Sequence, residues 1–304
     1  MSPSVTVASP AKINLQLGVG PLRPDGFHTL ATVYQAIGLY DEVTVSAAAT
    51  TTLAVSGEGV AVVDVPTDAR NLAVRAATLL AAHAGMPEAE AGVTMRIRKR
   101  IPVAGGMAGG STDAAAALLA CDALWGLGTP REDLLRLAAE LGSDVPFCLV
   151  GGTATGSGRG EVVDSVEDHG SYWWVVAPSS QGLSTPAVFA ELDRLIGTDA
   201  PEPKISAGLL SALAAGDAAR VGELLDNDLQ APALSLRPDL AAVLDTGGRP
   251  PAIGRLLSGS GPTCLFLAGD EADALKVRDQ LRDAGTEALV ARGPAPGAHV
   301  VPAL

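Results

Sequence analysis

Basic residues are scarce in this 304-residue chain: 21 Lys and Arg stand against 34 Asp and Glu, for a net charge of −13. A polyanion has to be met by clustered Lys and Arg, so this balance excludes a general nucleic-acid binder. A smaller anion would have to be held locally, by backbone N–H groups and a few chosen cations. Cysteine is sparse too. Cys121, Cys148 and Cys264 are an odd, scattered set with no C-x-x-C pair. That speaks against a disulfide framework or a thiolate zinc site and predicts buried, reduced thiols. Aromatics make up 3% of the chain, so Ala, Val and Leu must build the core and an aromatic in a loop stands out. No stretch approaches the ~18 uninterrupted apolar residues of a membrane span. The start, MSPSVTVASPAK, lacks the charged and apolar regions of a signal peptide. Both absences lead to the expectation of a cytoplasmic protein that does not engage a membrane.

What is present is an ordinary globular share of hydrophobic residues, 47%, with 35 glycines and 21 prolines gathered at particular places. A chain of this length buries a sizeable core without a metal or disulfide. Val5–Ala8, Ile13–Leu17, Thr32–Ala36 and Val43–Ala47 read as short strands between Pro, Gly and Asp breakers. Asn71–Ala84 has apolar residues at helical spacing and ends at Gly85. Val93–Lys99 reads as a strand leading to a glycine-rich loop, a helix from about Ser111 to Leu124, and another over Glu132–Leu141. Beyond Gly160 the pattern predicts a strand at Tyr172–Ala177, helices at Thr185–Leu195 and Ala218–Gln230, and a Pro-interrupted loop at Asp199–Lys204. A strand, helix and strand follow at Thr263–Ala268, Glu271–Ala284 and Glu287–Arg292. Strands followed by helices in both halves indicate an α+β protein with a division near residue 160.

Four segments carry chemistry-bearing residues. Pro102-Val103-Ala104-Gly105-Gly106-Met107-Ala108-Gly109-Gly110-Ser111-Thr112-Asp113 places four glycines in six positions ahead of a helix. It is either a tight strand-to-helix turn or a cradle of bare N–H groups at a positive helix end, suited to a di- or triphosphate. Ser111, Thr112 and Asp113 are placed to cap that helix, and a hydroxyl there could reach magnesium. The loop has neither the lysine of a P-loop nor a dinucleotide G-x-G-x-x-G. Lys12 lies between Ser9-Pro10 and an apolar strand, either solvated or held against the sheet. Asp144, in Leu141-Gly142-Ser143-Asp144-Val145-Pro146-Phe147, is a cap or turn residue or a working carboxylate. Ser258-Gly259-Ser260-Gly261 bends the chain into a strand, as a plain loop or as another set of exposed donors.

In this order the segments resemble the GHMP kinase superfamily, which takes in galactokinase, homoserine kinase, mevalonate kinase and phosphomevalonate kinase. The resemblance narrows to its members that phosphorylate a cytidine-diphosphate-bearing sugar alcohol in the non-mevalonate isoprenoid pathway. Ala11-Lys12-Ile13-Asn14-Leu15, Arg23-Pro24-Asp25-Gly26-Phe27-His28, the Leu141–Phe147 run and Gly158-Arg159-Gly160-Glu161 carry that narrower likeness. It implies a two-domain GHMP fold: an N-terminal ATP-binding domain of ribosomal protein S5-like topology over 1–160, and a C-terminal ferredoxin-like α/β domain over 161–304. It also implies Lys12 and Asp144 as the catalytic pair, Pro102–Thr112 as the ATP loop, and Asn14, Phe27, His28, Lys99, Thr185 and Phe189 around the substrate. ATP with Mg2+ is the implied phosphoryl donor, with no metal ligand assigned, in a monomer or homodimer. Phe27 stands where Tyr is commoner, and the loop reads Ala-Gly-Gly-Met-Ala-Gly-Gly where Gly-Ala-Gly-Leu-Gly-Gly-Gly is usual. Phe27 and Phe189 are expected to sandwich the cytosine. A mevalonate- or homoserine-type kinase, or a nucleotide-sensing regulator without turnover, are the rival readings.

Overall fold

The computed structural model describes residues 3–103, 105–197 and 200–302. The chain opens with two long strands, β1 (Ser4–Leu22) and β2 (His28–Ala47), then β3 (Thr52–Gly57), helix α1 (Leu72–His83) and β4 (Val93–Lys99). Helices α2 (Gly109–Trp125), α3 (Arg131–Leu141) and α4 (Val145–Val150) precede the hairpin β5 (Thr153–Ser157) and β6 (Val162–Ser165). Next come β7 (Tyr172–Ala177), α5 (Thr185–Ile196), α6 (Ala207–Ala215), α7 (Ala218–Glu223), β8 (Asp226–Asn227), α8 (Gln230–Leu236) and α9 (Asp239–Gly247). The chain closes with β9 (Ala252–Leu257), β10 (Cys264–Ala268), α10 (Glu271–Asp283), β11 (Leu289–Gly293) and β12 (His299–Val300).

The four strands expected in the first fifty residues are two. Their ladder runs through Pro10 and past Asn14 by shifting register at Pro10/Ala11 and Asn14/Gln16. A bulge is where a sheet tolerates a proline, so the breaker bends the strand without ending it. The sheet built on this pair runs β12-β1-β2-β4-β3, with the β5–β6 hairpin on β2 and β8 on β1. The turn of that hairpin contains residue 160, where the division was expected. The second sheet is antiparallel, β11-β7-β10-β9. Strand, helices, two strands, helix and strand in spatial order 4-1-3-2 make this half ferredoxin-like.

Period-two alternation assigns each strand face. On β7 and β10, Trp174, Val176, Leu265 and Leu267 pack towards Ala11, Ile13 and Leu15 of β1. Their neighbours Val175, Ala177, Phe266 and Ala268 pack with Val188 of α5, Leu244 of α9 and Val277 of α10. A third core joins Val43, Val45, Met95 and Ile97 to the alanine run of α2; the small side chains let α2 lie close against the sheet. On β1 the residues between the apolar ones, Lys12, Asn14 and Gln16, therefore face the other way.

The helix expected over Ala218–Gln230 is interrupted. Asp228 Oδ2 accepts from the Val19 amide at 2.8 Å, and Asn227 pairs with Leu17 on β1. Asp and Asn side chains compete with helical hydrogen bonds in this way. Asp199, the start of the expected Pro-interrupted loop, lies outside the described residues, and Pro201–Lys204 has neither helix nor strand. The three cysteines are buried and unpaired, with burial pushing each thiol up to about 12. Among the described residues no helix is long and apolar enough to cross a membrane.

One buried side chain ties the sheets together. Gln35 on β2 accepts from Trp174 Nε1 at 2.8 Å and donates to Thr153 Oγ1 and Asp168 Oδ2, each at 3.2 Å. Gln35→Leu strands the indole N–H and is expected to cost about 2 kcal/mol of stability, measured as a lower urea midpoint with an unchanged m-value.

Candidate active site

A cavity of about 700 Å³ lies where the first sheet, the glycine-rich loop and α5 meet. Strand alternation delivers Lys12 to it, nearly buried, with its own amide donating to the Met107 carbonyl of the loop at 3.2 Å. The Lys12 ammonium donates to Asn14 Oδ1 at 3.1 Å, and Asn14 Nδ2 donates to Thr32 Oγ1 at 2.8 Å. Asp144 comes from the turn between α3 and α4. It sits at the N-cap position of α4 but its side chain makes no capping bond. Its Oδ2 instead faces the Lys12 ammonium at 3.4 Å, with the carboxylate partly open to the cavity. The alternatives left open by sequence are thus decided: Lys12 is held at the sheet, and Asp144 is not a cap. Tyr34 lies beneath the pair, 5.3 Å from the Lys12 nitrogen to the ring centre. Burial, and next the charge of Asp144, hold its phenol well above its ordinary pKa.

The loop folds against the Ser258–Gly261 bend. Ser258 Oγ donates to the Gly106 carbonyl at 2.9 Å. Gly106 has φ +74°, and a Cβ there would strike the Ser258 carbonyl oxygen. The bend is fixed from behind by Asn227, which donates to the carbonyls of Leu257 and Gly259 at 2.9 and 2.8 Å. Gly105, Gly106, Ala108, Gly109, Gly110 and Ser111 reach the cavity surface, and the first amides of α2 have no partner within the helix. The predicted capping by Ser111, Thr112 or Asp113 is not observed: the N-cap is Ala108 and no side chain caps α2. Thr112 Oγ1 donates instead to the Pro10 carbonyl at 3.0 Å, and Asp113 turns inward. Pro102 and Met107 are buried, Val103 faces a second cavity, and Ala104 lies outside the described residues.

Thr185 Oγ1 lies 2.8 Å from Ser260 Oγ, joining the start of α5 to the bend. His28 is buried, with Nδ1 2.9 Å from the Gly20 carbonyl oxygen and its ring stacked on Phe189 at 5.3 Å. Phe27 is half exposed, and the Arg159 guanidinium lies 5.0 Å from its ring centre. The expected open sandwich between the two phenylalanines thus has one ring already covered by an imidazole and the other by a cation, because π-faces recruit such partners. Sequence reading passed over Tyr34, Ser143, Asp193 and Leu229, which also line the cavity; none stands beside a glycine cluster or repeats a spacing that would mark it.

Lys99 does not reach this cavity. It is buried between Asp41 and Asp113, 2.7 Å from Asp113 Oδ2, and donates to the Gly109 carbonyl at 3.0 Å. It borders the second, smaller cavity of about 200 Å³, which shares Gly109 and Gly110 with the first. Two carboxylates here share one ammonium. Burial, with Asp41 adding to it against Lys99, pushes the Asp113 carboxyl up to about 8, and its Oδ1 has no partner.

Two family models match the chain: GHMP kinases N terminal domain over residues 71–152, which takes in the glycine-rich loop and Asp144, and GHMP kinases C terminal over 209–287, which takes in the Ser258–Gly261 bend. A solved homoserine kinase from Cytophaga hutchinsonii shares the fold, with TM-score 0.75 over 99% of this chain and 98% of that one at 19% identity. Fold and site define a small-molecule kinase of the GHMP class. The 4-diphosphocytidyl-2-C-methyl-D-erythritol kinase of Thermobifida fusca (strain YX) is 56% identical over 306 residues, 98% of each chain. That of Streptomyces coelicolor is 54% identical over 302 residues, covering 98% of this chain and 99% of the relative. A crystal structure of 4-(cytidine 5'-diphospho)-2C-methyl-D-erythritol kinase matches with TM-score 0.77 and 33% identity, over 94% of this chain and 98% of that one. The chain belongs to the 4-diphosphocytidyl-2-C-methyl-D-erythritol kinase family.

Two predictions follow from the loop. Ala108 has φ +59°, a conformation disfavoured for any residue with a Cβ. Ala108→Gly should stabilise the protein by about 0.5 kcal/mol, the relief of strain less the added chain entropy of glycine, seen as a higher urea midpoint. Asp113 keeps its proton in the folded state over a range where an unfolded aspartate, with pKa about 4, has lost it. Folding stability from this group therefore falls as pH rises from about 4 through about 8, and Asp113→Asn should flatten that slope in urea melts at pH 5, 6.5 and 8.5.

Proposed function

We propose that the chain transfers the γ-phosphoryl group of ATP to the 2-hydroxyl of 4-diphosphocytidyl-2-C-methyl-D-erythritol, in the non-mevalonate isoprenoid pathway. The observation that carries this reading is the 3.4 Å approach of Lys12 to an uncapped Asp144 at the edge of the glycine cradle. The family membership supports the choice of acceptor over mevalonate or homoserine. Retention of both charged residues supports turnover over nucleotide sensing.

Phosphoryl transfer demands an in-line hydroxyl and stabilised charge on the transferring group. The acceptor oxygen forms its bond to the γ-phosphorus as the bond from that phosphorus to the β,γ-bridging oxygen breaks, and ADP departs. Asp144 orients the hydroxyl and takes its proton. Lys12 supplies a fixed point charge to the γ-phosphoryl oxygens, positioned by Asn14. The amides of Gly109, Gly110 and Ser111 receive the phosphates at the positive end of α2. The smaller cavity, which shares Gly109 and Gly110 with the main one, offers room beside these glycines for the nucleoside.

Magnesium takes oxygen ligands and keeps several waters. The main cavity offers it the Asp144 carboxylate and the Ser111 hydroxyl. Among the described residues no cluster of three His, Cys, Asp or Glu side chains forms a protein-only site. This donor set fits an ion that arrives on nucleotide phosphates, whose charge it would neutralise there.

Asp144→Asn should lower kcat by about 10²–10⁴-fold with little change in KM for either substrate, read by coupled ADP release. Turnover within about threefold of the parent would refute the assignment of the base. The same assay run on mevalonate and homoserine separates the rival kinases.

A further inference from the structure

An acceptor that joins cytidine to a sugar alcohol through a diphosphate carries two negative charges at the middle of its length. Lys12 is engaged with Asp144 at one end of the cavity, and the chain as a whole is strongly acidic. Among the described residues the other Lys or Arg side chain lining the cavity is Arg159. Its guanidinium carbon lies 5.0 Å from the Phe27 ring centre. Its Nε reaches Glu161 only at 3.5 Å, and among the described residues its two terminal amino groups have no hydrogen-bond partner. A cation on a cavity wall with unused, forked donors matches the geometry of phosphate oxygens.

Its position along the cavity follows from a line of contacts. His28 stacks on Phe189 at the aromatic end, where Phe27 also stands. Arg159 covers Phe27, and the next residue, Gly160, accepts the Tyr34 hydroxyl at 3.3 Å. Gly160 has φ +104°, and a Cβ there would strike that hydroxyl, so the backbone at this turn is pinned to Tyr34. Tyr34 in turn lies under Lys12. Arg159 thus stands between the rings that suit a base and the pair that suits a reacting hydroxyl. Glu161 holds the turn itself, accepting from the Arg159 amide at 2.6 Å.

We propose that Arg159 binds the diphosphate bridge of the acceptor, with the Phe27 ring supporting the guanidinium and Tyr34 fixing the turn that carries it. This rests on the acceptor proposed above. It makes Arg159 a specificity residue that distinguishes cytidine diphosphates from uncharged cytidine compounds. It does not act on the γ-phosphoryl group.

The test is steady-state kinetics of the full chain and of Arg159→Ala, Arg159→Gln and Arg159→Lys, with the acceptor varied at saturating ATP and the reverse. Direct titration with CDP and with cytidine accompanies it. Loss of a charge-assisted phosphate contact should raise acceptor KM about 10–100-fold in the Ala and Gln variants, with kcat and the ATP KM little changed. CDP binding should weaken by a similar factor while cytidine binding holds, so the preference of the parent protein for CDP collapses. Lys should recover part of the loss, because it restores charge without the fork. The inference is overturned by an acceptor KM within about twofold of the parent. It is equally overturned by equal weakening of CDP and cytidine, which marks Arg159 as a support for Phe27, or by a defect confined to ATP. Should Arg159→Ala fail to fold, the Gln and Lys variants carry the same comparison. If the parent protein does not turn the acceptor over, the proposed reaction fails, and the CDP and cytidine titrations still decide the role of Arg159.

Discussion

An ammonium held almost out of water, 3.4 Å from a carboxylate, is what the remainder of the site is arranged around. Lys12 cannot remain in such a place unless its charge is answered, because the desolvation of an unpaired buried cation costs several kcal/mol. Four separate segments supply the answer. The Asn14 amide oxygen and the Asp144 carboxylate face the ammonium directly, the Met107 carbonyl fixes the strand that carries it, and the Gly259 bend closes over it. Three of these segments are held in turn by hydrogen bonds: Asn14 by Thr32, the bend by Asn227, the loop by Ser258. The position of a charge in the site is therefore a property of packing throughout both sheets.

The same economy of charge appears below the loop. Asp41, Lys99 and Asp113 form a second buried cluster whose carboxylates outnumber its cation, and the Gly109 carbonyl is drawn into it. The arrangement ties β4 to the first turn of α2. Asp41 Oδ1 also accepts from the Arg100 and Ile101 amides at 2.6 and 2.9 Å, which anchors the chain as it enters the glycines. A cradle of mobile backbone would lose entropy on binding phosphate; this one is fastened on both sides before any ligand arrives.

Much of this was legible in the residues, and the parts that were not share a cause. Local signals survived folding: β4 and β7 occur where their apolar patterns placed them, and α1 is capped by Asn71, whose side chain accepts from the Ala73 amide. The glycine loop stood out by its exposed backbone, whereas Lys12 and Asp144, left open by their local surroundings, were picked out by the resemblance to the family. Lys99 was misjudged in its surroundings because its neighbours in space, Asp41 and Asp113, are far from it along the chain. Ala108 looked like a mild departure from glycine, and only its left-handed φ shows that it is strained. The strands around Pro10 looked short because a proline stops a ladder unless a bulge accommodates it, and bulges are set by the partner strand.

The sequence by itself marked β4, β7, helices α1 to α3 and the closing strand, helix and strand, together with groups able to bind phosphate or move a proton. These are consequences of short-range periodicity, backbone freedom and side-chain chemistry, all of which act within a few residues. The tertiary structure alone decided which of those groups meet. It set Lys12 against Asp144 across 132 positions of chain, sent Lys99 to a different cavity, and laid Arg159 on Phe27. Such pairings depend on how the separate hydrophobic cores close at once, and no local stretch of residues contains that information.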